Sequence, residues 1–287
     1  MNTLKTGILM LVMTSLLLLT GLLWTGDYSG VIIFFFLALG LNFFAFWSSH
    51  RLVLKMSGAR AVEPHEDPEL HAIVDEQVYL AGIPKPKVYV MDTDSPNAFA
   101  TGRSKNHASI AVTAGIRRIL NKNELGAVIA HELAHVGNRD TLIMTMVAAV
   151  AMAIGLIAMI ARFSMFFGGM GGRGRGGGGG AIGIVGLLVI AIVMPLAAMI
   201  VRMAISRTRE FQADKTGALT SGTPLALASA LGKLHGGSSA RPMELSKERL
   251  EPVAHLFIVN PLSGGGMARL FSSHPPVEER IHRLESM

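Results

Sequence analysis

His131-Glu132-Leu133-Ala134-His135 is the stretch on which the reading of this chain turns. On an α-helix, residues four apart lie within about 40° of one another around the axis, so both imidazoles share a face and can point at one ion. Glu132 is offset from His131 by about 100°, which sets its carboxylate beside such an ion rather than among its ligands. Two nitrogen donors and a carboxylate poised over a bound water are what metal-assisted peptide hydrolysis requires. Five residues do not establish it, because the pattern also arises by chance and a histidine pair can serve a structural zinc site or an exposed helix face. The chain has no cysteine, so thiolate metal sites, disulfides and cysteine nucleophiles are excluded. Any transition-metal site must be built from His, Asp and Glu.

Upstream of this motif the sequence is polar and mixed, from His50 to Asp140. Glu69 to Leu80 has helical periodicity, and Lys87 to Met91 alternates as a strand before a turn at Asp92-Thr93-Asp94-Ser95-Pro96. Asn97 to Gly102 and Ala108 to Thr113 read as short strands. A helical region opens near Gly115 and breaks near Asn121, and either Asn121 or Asn123 can cap the helix that carries the motif. Helix, small sheet and helix in this order predict an α+β soluble part.

The flanks are apolar. Hydrophobic residues make up 50% of the 287 and charged residues 16%, against roughly 25% in an ordinary soluble domain. Four stretches predict transmembrane helices: about Gly7 to Trp24, Val31 to Trp47, Leu142 to Ile160 and Ala181 to Val201. Trp24, Tyr28 and Trp47 sit where interfacial aromatics belong. Arg51, Lys55 and Arg60 follow the second span, and Arg202, Arg207, Arg209 and Lys215 follow the fourth. The positive-inside rule therefore puts these regions, and both termini, in the cytoplasm. Arg162, Arg173 and Arg175 in the glycine-rich connection between spans three and four resist this topology. Either the rule is locally violated or that hairpin does not fully cross. The expected organisation is a transmembrane hairpin over 1–48, a peptidase part with the sheet and motif helix over 49–140, a second hairpin over 141–201 with its connection at 168–180, and a cytoplasmic part over 202–287. The net charge of +6 fits an anionic membrane face, with no nucleic acid partner implied.

A zinc hydrolase needs a third protein ligand and an open fourth position. The candidate is Glu210, in Arg209-Glu210-Phe211-Gln212-Ala213-Asp214. At about 1.5 Å per residue, His135 and Glu210 both lie roughly 10–14 Å from the ends of spans three and four, on the same side of a hairpin. Asp214, one turn beyond Glu210, can accept the other ring N–H of His131, or can pair at the surface with Arg207 or Lys215.

Together the N-terminal apolar hairpin, His131 to Val136, the glycine-interrupted second hairpin, Glu210 to Asp214 and Ser273-His274-Pro275-Pro276 resemble the HtpX family. These are bacterial inner-membrane, heat-shock-linked zinc proteases related to the CAAX prenyl proteases. The resemblance covers essentially the whole chain. It implies a mainly helical α+β membrane protein with a cytoplasmic gluzincin-like peptidase domain. It implies one zinc ion held by His131, His135 and Glu210, with Glu132 as the catalytic carboxylate. The implied substrates are damaged or misfolded membrane proteins, cut at the cytoplasmic face of the inner membrane. Asn97-Ala98-Phe99-Ala100 resembles the family's substrate-side edge strand, which binds an extended peptide through main-chain hydrogen bonds. It also reads as an ordinary strand opened by a turn-forming Asn. His274 resembles the downstream histidine placed to stabilise the oxyanion, or else is a surface histidine flanking a helix. A transporter with a regulatory zinc site would carry ionisable residues within its spans, which are almost free of them. A zinc-stabilised scaffold would have no need of Glu132.

Overall fold

The computed structural model of the chain describes residues 26–145, 207–240, 243, 253–259 and 275–287, with isolated positions between 7 and 22. The chain divides into two compact units, Met1–Trp47 with Ala149–Met203 and Ser48–Ala148 with Ala204–Met287. Helix α1, Tyr28–Met56, begins in the first and ends in the second. Among the described residues it is the one helix long and apolar enough to cross a membrane. It runs about two turns beyond the expected end at Trp47. No glycine or proline lies between Trp47 and Gly58, which takes a positive φ of 70° and follows the helix end. Within the first unit, Asn42 donates to the Thr14 hydroxyl at 2.9 Å, so described positions of the first apolar stretch lie against α1. The expected third and fourth spans and the connection at 168–180 fall outside the described residues, apart from the first few positions of span three.

The second unit holds a four-stranded sheet, β1 (Arg60–Ala61), β2 (Lys87–Met91), β3 (Ala98–Gly102) and β4 (Ala108–Thr113), in the order β1-β2-β4-β3. Strands β2 and β4 are parallel, and the two outer pairs are antiparallel. The two-residue β1 carries no periodicity of its own and was not legible in the sequence. Helix α2 (Pro68–Ala81) starts on Asp67, whose carboxylate accepts from the Leu70 N–H at 3.1 Å. Thr113 ends β4 and caps the short α3 (Ala114–Ile119). Helix α4 (Lys122–Gly137) carries the histidine pair.

Of the two asparagines that could cap α4, Asn121 does so. It accepts from the Glu124 N–H while Glu124 accepts from the Asn121 N–H, both at 2.9 Å, a reciprocal capping box. Everything from Glu124 to Val136 is buried, because α4 runs through the middle of the unit. Around it pack α2, the sheet, α5 (Arg207–Ser221) and α6 (Pro224–Ala240). Leu70, Val74, Ile110, Val128, Ile129 and Leu231 form the heart of this core. Helix α7 (Val277–Glu285) follows Pro275 and Pro276 and packs on α6 and α5.

Helix α6 continues through Gly236 and Gly237 to Ala240. A Cβ on Gly237 would come within 2.8 Å of Pro96 Cγ. The missing side chain, which weakens a helix in isolation, here lets the helix seat against the 92–96 turn.

Helix α5 presents Glu210, Ala213, Asp214, Gly217 and Ala218 to the interior, a single stripe at helical spacing. A Cβ on Gly217 would stand 2.8 Å from both Cα and N of His131, so α5 meets α4 backbone to backbone. Gly217→Ala must therefore move the helices apart, at a cost of about 1–3 kcal/mol. Thermal unfolding in detergent checks this, and an unchanged melting temperature would show that the contact has room to spare. A second expectation concerns Glu124, which also accepts from Ser229 and Lys233 of α6, each at 2.7 Å. Burial raises its pKa, but the bonds from Lys233, Ser229 and the Asn121 N–H outweigh that and hold it below the ordinary 4.5. A depressed folded value stabilises the fold above pH 4.5, and that stabilisation is lost as pH falls through the lowered value. Melting temperature followed against pH should thus decline less steeply in acid for Glu124→Gln than for the unaltered chain.

Candidate metal centre

His131 and His135 are one turn apart on α4, and Glu210 faces them from α5. One donor atom from each of the three lies within 4.8 Å of the others. His131 Nε2 is 3.9 Å from Glu210 Oε2, and His135 Nε2 is 3.5 Å from Glu210 Oε1. None of the three is more than 4% exposed. The residues that sequence spacing selected on two separate segments thus meet in one buried cluster.

The opposite nitrogen of each imidazole meets an aspartate. His131 Nδ1 is 3.0 Å from Asp214 Oδ1, a hydrogen-bonding distance at an oblique angle. His135 Nδ1 bonds Asp140 Oδ2 at 3.3 Å. Each aspartate in turn meets an arginine. Arg280, from α7 and 0% exposed, donates to both oxygens of Asp214 at 2.8 and 2.7 Å. Arg209 Nη1 stands 3.8 Å from Asp140 Oδ1. The sequence pointed to Asp214 but to neither arginine as its support, nor to Asp140. Asp140 comes within reach of His135 across the break at Arg139, which adopts a positive φ of 61° just past the end of α4. Nothing in the sequence around Arg280 marks it as interior, and only the packing of α7 buries it.

The electrostatics follow from this burial. Burial pushes the Glu132 carboxyl up to about 8, with Glu210 adding to the shift. Burial drives His131 down despite Asp214. His135 also loses solvent, but Glu210 and Asp140 outweigh that and raise it to about 9. Asp214 is buried too, yet Arg280 holds it far below the usual carboxylate range. With both Nδ1 atoms engaged by aspartates, the Nε2 atoms are the ones turned toward Glu210. Two imidazoles and a carboxylate, buried and converging, suit a transition metal of the zinc type. A cation there would answer the excess of carboxylates around the cluster.

Glu132 does not join the triad. Its Oε2 accepts from the Ala100 N–H at 2.9 Å, which ties the motif helix to β3. Strand β3 lies at the edge of the sheet, as the family resemblance implied, but part of its outer edge is taken. Ile258 N donates to Ala98 O at 3.1 Å, and the Asn97 side chain bonds the main chain of Val259 in both directions, at 2.8 and 3.3 Å. Phe99 packs edge-to-face on Phe257. Of the expected substrate-side residues, Ala100 is thus brought beside Glu132, whereas Asn97, Ala98 and Phe99 anchor the 253–259 segment. His274 lies outside the described residues.

Residues 64–287 match peptidase family M48. A protease HtpX homolog of Thermodesulfovibrio yellowstonii is 50% identical over 287 residues, covering 100% of this chain and 99% of its own length. Another from Pyrococcus furiosus is 48% identical over 284 residues, covering 99% and 95%. The crystal structure of S. mikatae Ste24p aligns over 97% of this chain with a TM-score of 0.51 and 20% identity, a likeness of fold. The chain spans 62% of that protein's length. A buried His-His-Glu cluster beside a glutamate, on a chain that matches over this extent, belongs to peptidase family M48, among the membrane-associated HtpX metalloproteases.

Proposed function

We propose that the chain is a multi-pass zinc endopeptidase of the bacterial inner membrane, cutting misfolded or damaged membrane proteins at the cytoplasmic face. The observation that carries the chemistry is the convergence of His131, His135 and Glu210 within 4.8 Å, with Glu132 next to them and outside the triad. In this reading those three side chains hold one zinc ion. When bound, zinc supplies Lewis acidity, polarising the scissile carbonyl and acidifying a water. Glu132 accepts the proton of the attacking water and returns it to the leaving amine. The Ala100 N–H steadies that carboxylate from the substrate-side strand. Asp214 and Asp140 hold the two imidazoles with Nε2 turned inward, and His274 donates to the developing oxyanion.

The membrane topology belongs to the same proposal: hairpins at 1–48 and 141–201, and cytoplasmic parts at 49–140 and 202–287. Helix α1 supports it by its length and by exposed Ile33, Phe36 and Phe43, which need lipid rather than water around them. In this reading the substrate-side strand is Asn97, Ala98, Phe99 and Ala100, with Asn97 and Ala98 paired to the 258–259 segment and Ala100 nearest the chemistry.

Glu132→Gln is expected to keep its metal and lose peptide cleavage, measured as casein degradation in detergent beside metal content by elemental analysis. Retained proteolysis would remove Glu132 from its role. Chelation should abolish cleavage and zinc should restore it. Asp140→Ala and Asp214→Ala should each weaken metal binding about 10- to 100-fold. Competition of the apo protein against a chromogenic chelator measures this, and affinities equal to the unaltered chain would mean that neither aspartate positions a ligand.

A further inference from the structure

Arg280 occupies a position where an amphipathic helix normally carries a hydrophobe. Val277, Ile281 and Leu284 turn one face of α7 onto the core, and Arg280 lies on that face among them, 0% exposed. A guanidinium taken wholly out of water is strongly disfavoured unless its donors are answered. Here they are answered from two directions. Nε and Nη2 bond the two oxygens of Asp214 at 2.8 and 2.7 Å, and Nη1 donates to the Ile258 carbonyl at 3.4 Å.

Ile258 is in turn held at both of its main-chain groups. Its N–H donates to Ala98 O of β3 at 3.1 Å, and its carbonyl accepts from Arg280. Val253, Leu256, Phe257 and Ile258 are buried, and the rings of Phe257 and Phe99 lie 5.1 Å apart between centroids. The contacts form a closed loop. From His131 it runs to Asp214 at 3.0 Å, then to Arg280, to Ile258 and to Ala98. Two residues along β3, the Ala100 N–H donates to Glu132 Oε2 at 2.9 Å, and Glu132 adjoins His131 on α4. Both ends of the path thus arrive at neighbouring residues of the motif helix, one a donor of the triad and the other the carboxylate beside it. Arg280 joins the two arms because its planar fork meets a carboxylate and a carbonyl at once, a geometry that a lysine ammonium does not reproduce.

We propose that Arg280 is the positioning residue that closes this loop, fixing His131 relative to Glu132 and to the strand beside it. The proposal rests on the zinc peptidase reading and adds to it a residue that acts only through its neighbours.

The full-length protein, purified in a mild detergent, is compared with Arg280→Met, Arg280→Lys, Asp214→Asn and the double variant Asp214→Asn/Arg280→Met. Zinc affinity is read by competition of the apo proteins against a chromogenic chelator. Cleavage of a quenched fluorescent peptide at saturating zinc gives kcat and KM separately. Arg280→Met should weaken zinc binding about 10- to 100-fold, and Arg280→Lys, which keeps a charge beside Asp214, should recover part of that loss. The double variant should bind zinc no more weakly than Asp214→Asn alone, because Arg280 reaches His131 through Asp214. KM should rise several-fold in both Arg280 variants, which lose the fork to Ile258. Glu124→Gln breaks the bond to Lys233 at the other end of α4. It should lower the melting temperature and leave zinc affinity and KM unchanged, which separates positioning from loosened packing. Zinc affinity in Arg280→Met equal to that of the unaltered chain would overturn the proposal, as would additive losses in the double variant or an unchanged KM. If Arg280→Met does not fold, Arg280→Lys decides: a raised KM supports the loop and an unchanged KM sinks it. An unaltered chain that binds no zinc or cuts no peptide sinks the peptidase reading itself. An unaltered chain that does both, beside Arg280 variants that match it, sinks this proposal alone.

Discussion

The contact between α4 and α5 is the constraint on which the rest of the unit depends. It is made without side chains at its closest point, where Gly217 lies against the main chain of His131. Close approach there brings the whole inward stripe of α5 within reach of the histidine pair, so Glu210 and Asp214 meet the two imidazoles at 3.0–3.9 Å. Helix packing usually leaves axes 8–10 Å apart, with side chains filling the space between. A larger residue at 217 would hold the carboxylates away from the imidazoles by that filling alone.

Polar groups so deeply buried need partners, because an isolated charge in the interior is strongly disfavoured. The structure provides them in two parallel chains, His131 to Asp214 to Arg280 and His135 to Asp140 to Arg209. The first is tight and bidentate and draws α7 onto the site. The second is looser, formed by Asp140 just past the break at Arg139 and by Arg209, the residue preceding Glu210. Their consequence is orientation: an imidazole whose Nδ1 is held has its Nε2 aimed. The C-terminal helix, remote in sequence from the histidine pair, is in this way part of the site.

Strand β3 joins this arrangement to the sheet. Its outer edge is divided between the chain's own 258–259 segment at Asn97 and Ala98 and the Glu132 carboxylate at Ala100.

The sequence by itself determined the motif helix, its break and cap near Asn121, three of the four strands, and the three donors. Each of these depends on spacing within one segment, or on residue types that leave few alternatives once cysteine is absent. Family membership was legible for the same reason, since motif order survives in one dimension. Tertiary structure alone decided that Arg280 is buried, that Asp140 serves His135, that α6 runs through two glycines, and that Asn97 and Ala98 bind the 258–259 segment. These are contacts between segments far apart in the chain or across a helix break, and no local periodicity encodes them. A lone arginine, an aspartate after a helix, or a glycine pair reads the same on a surface or in a loop until packing removes the water around it.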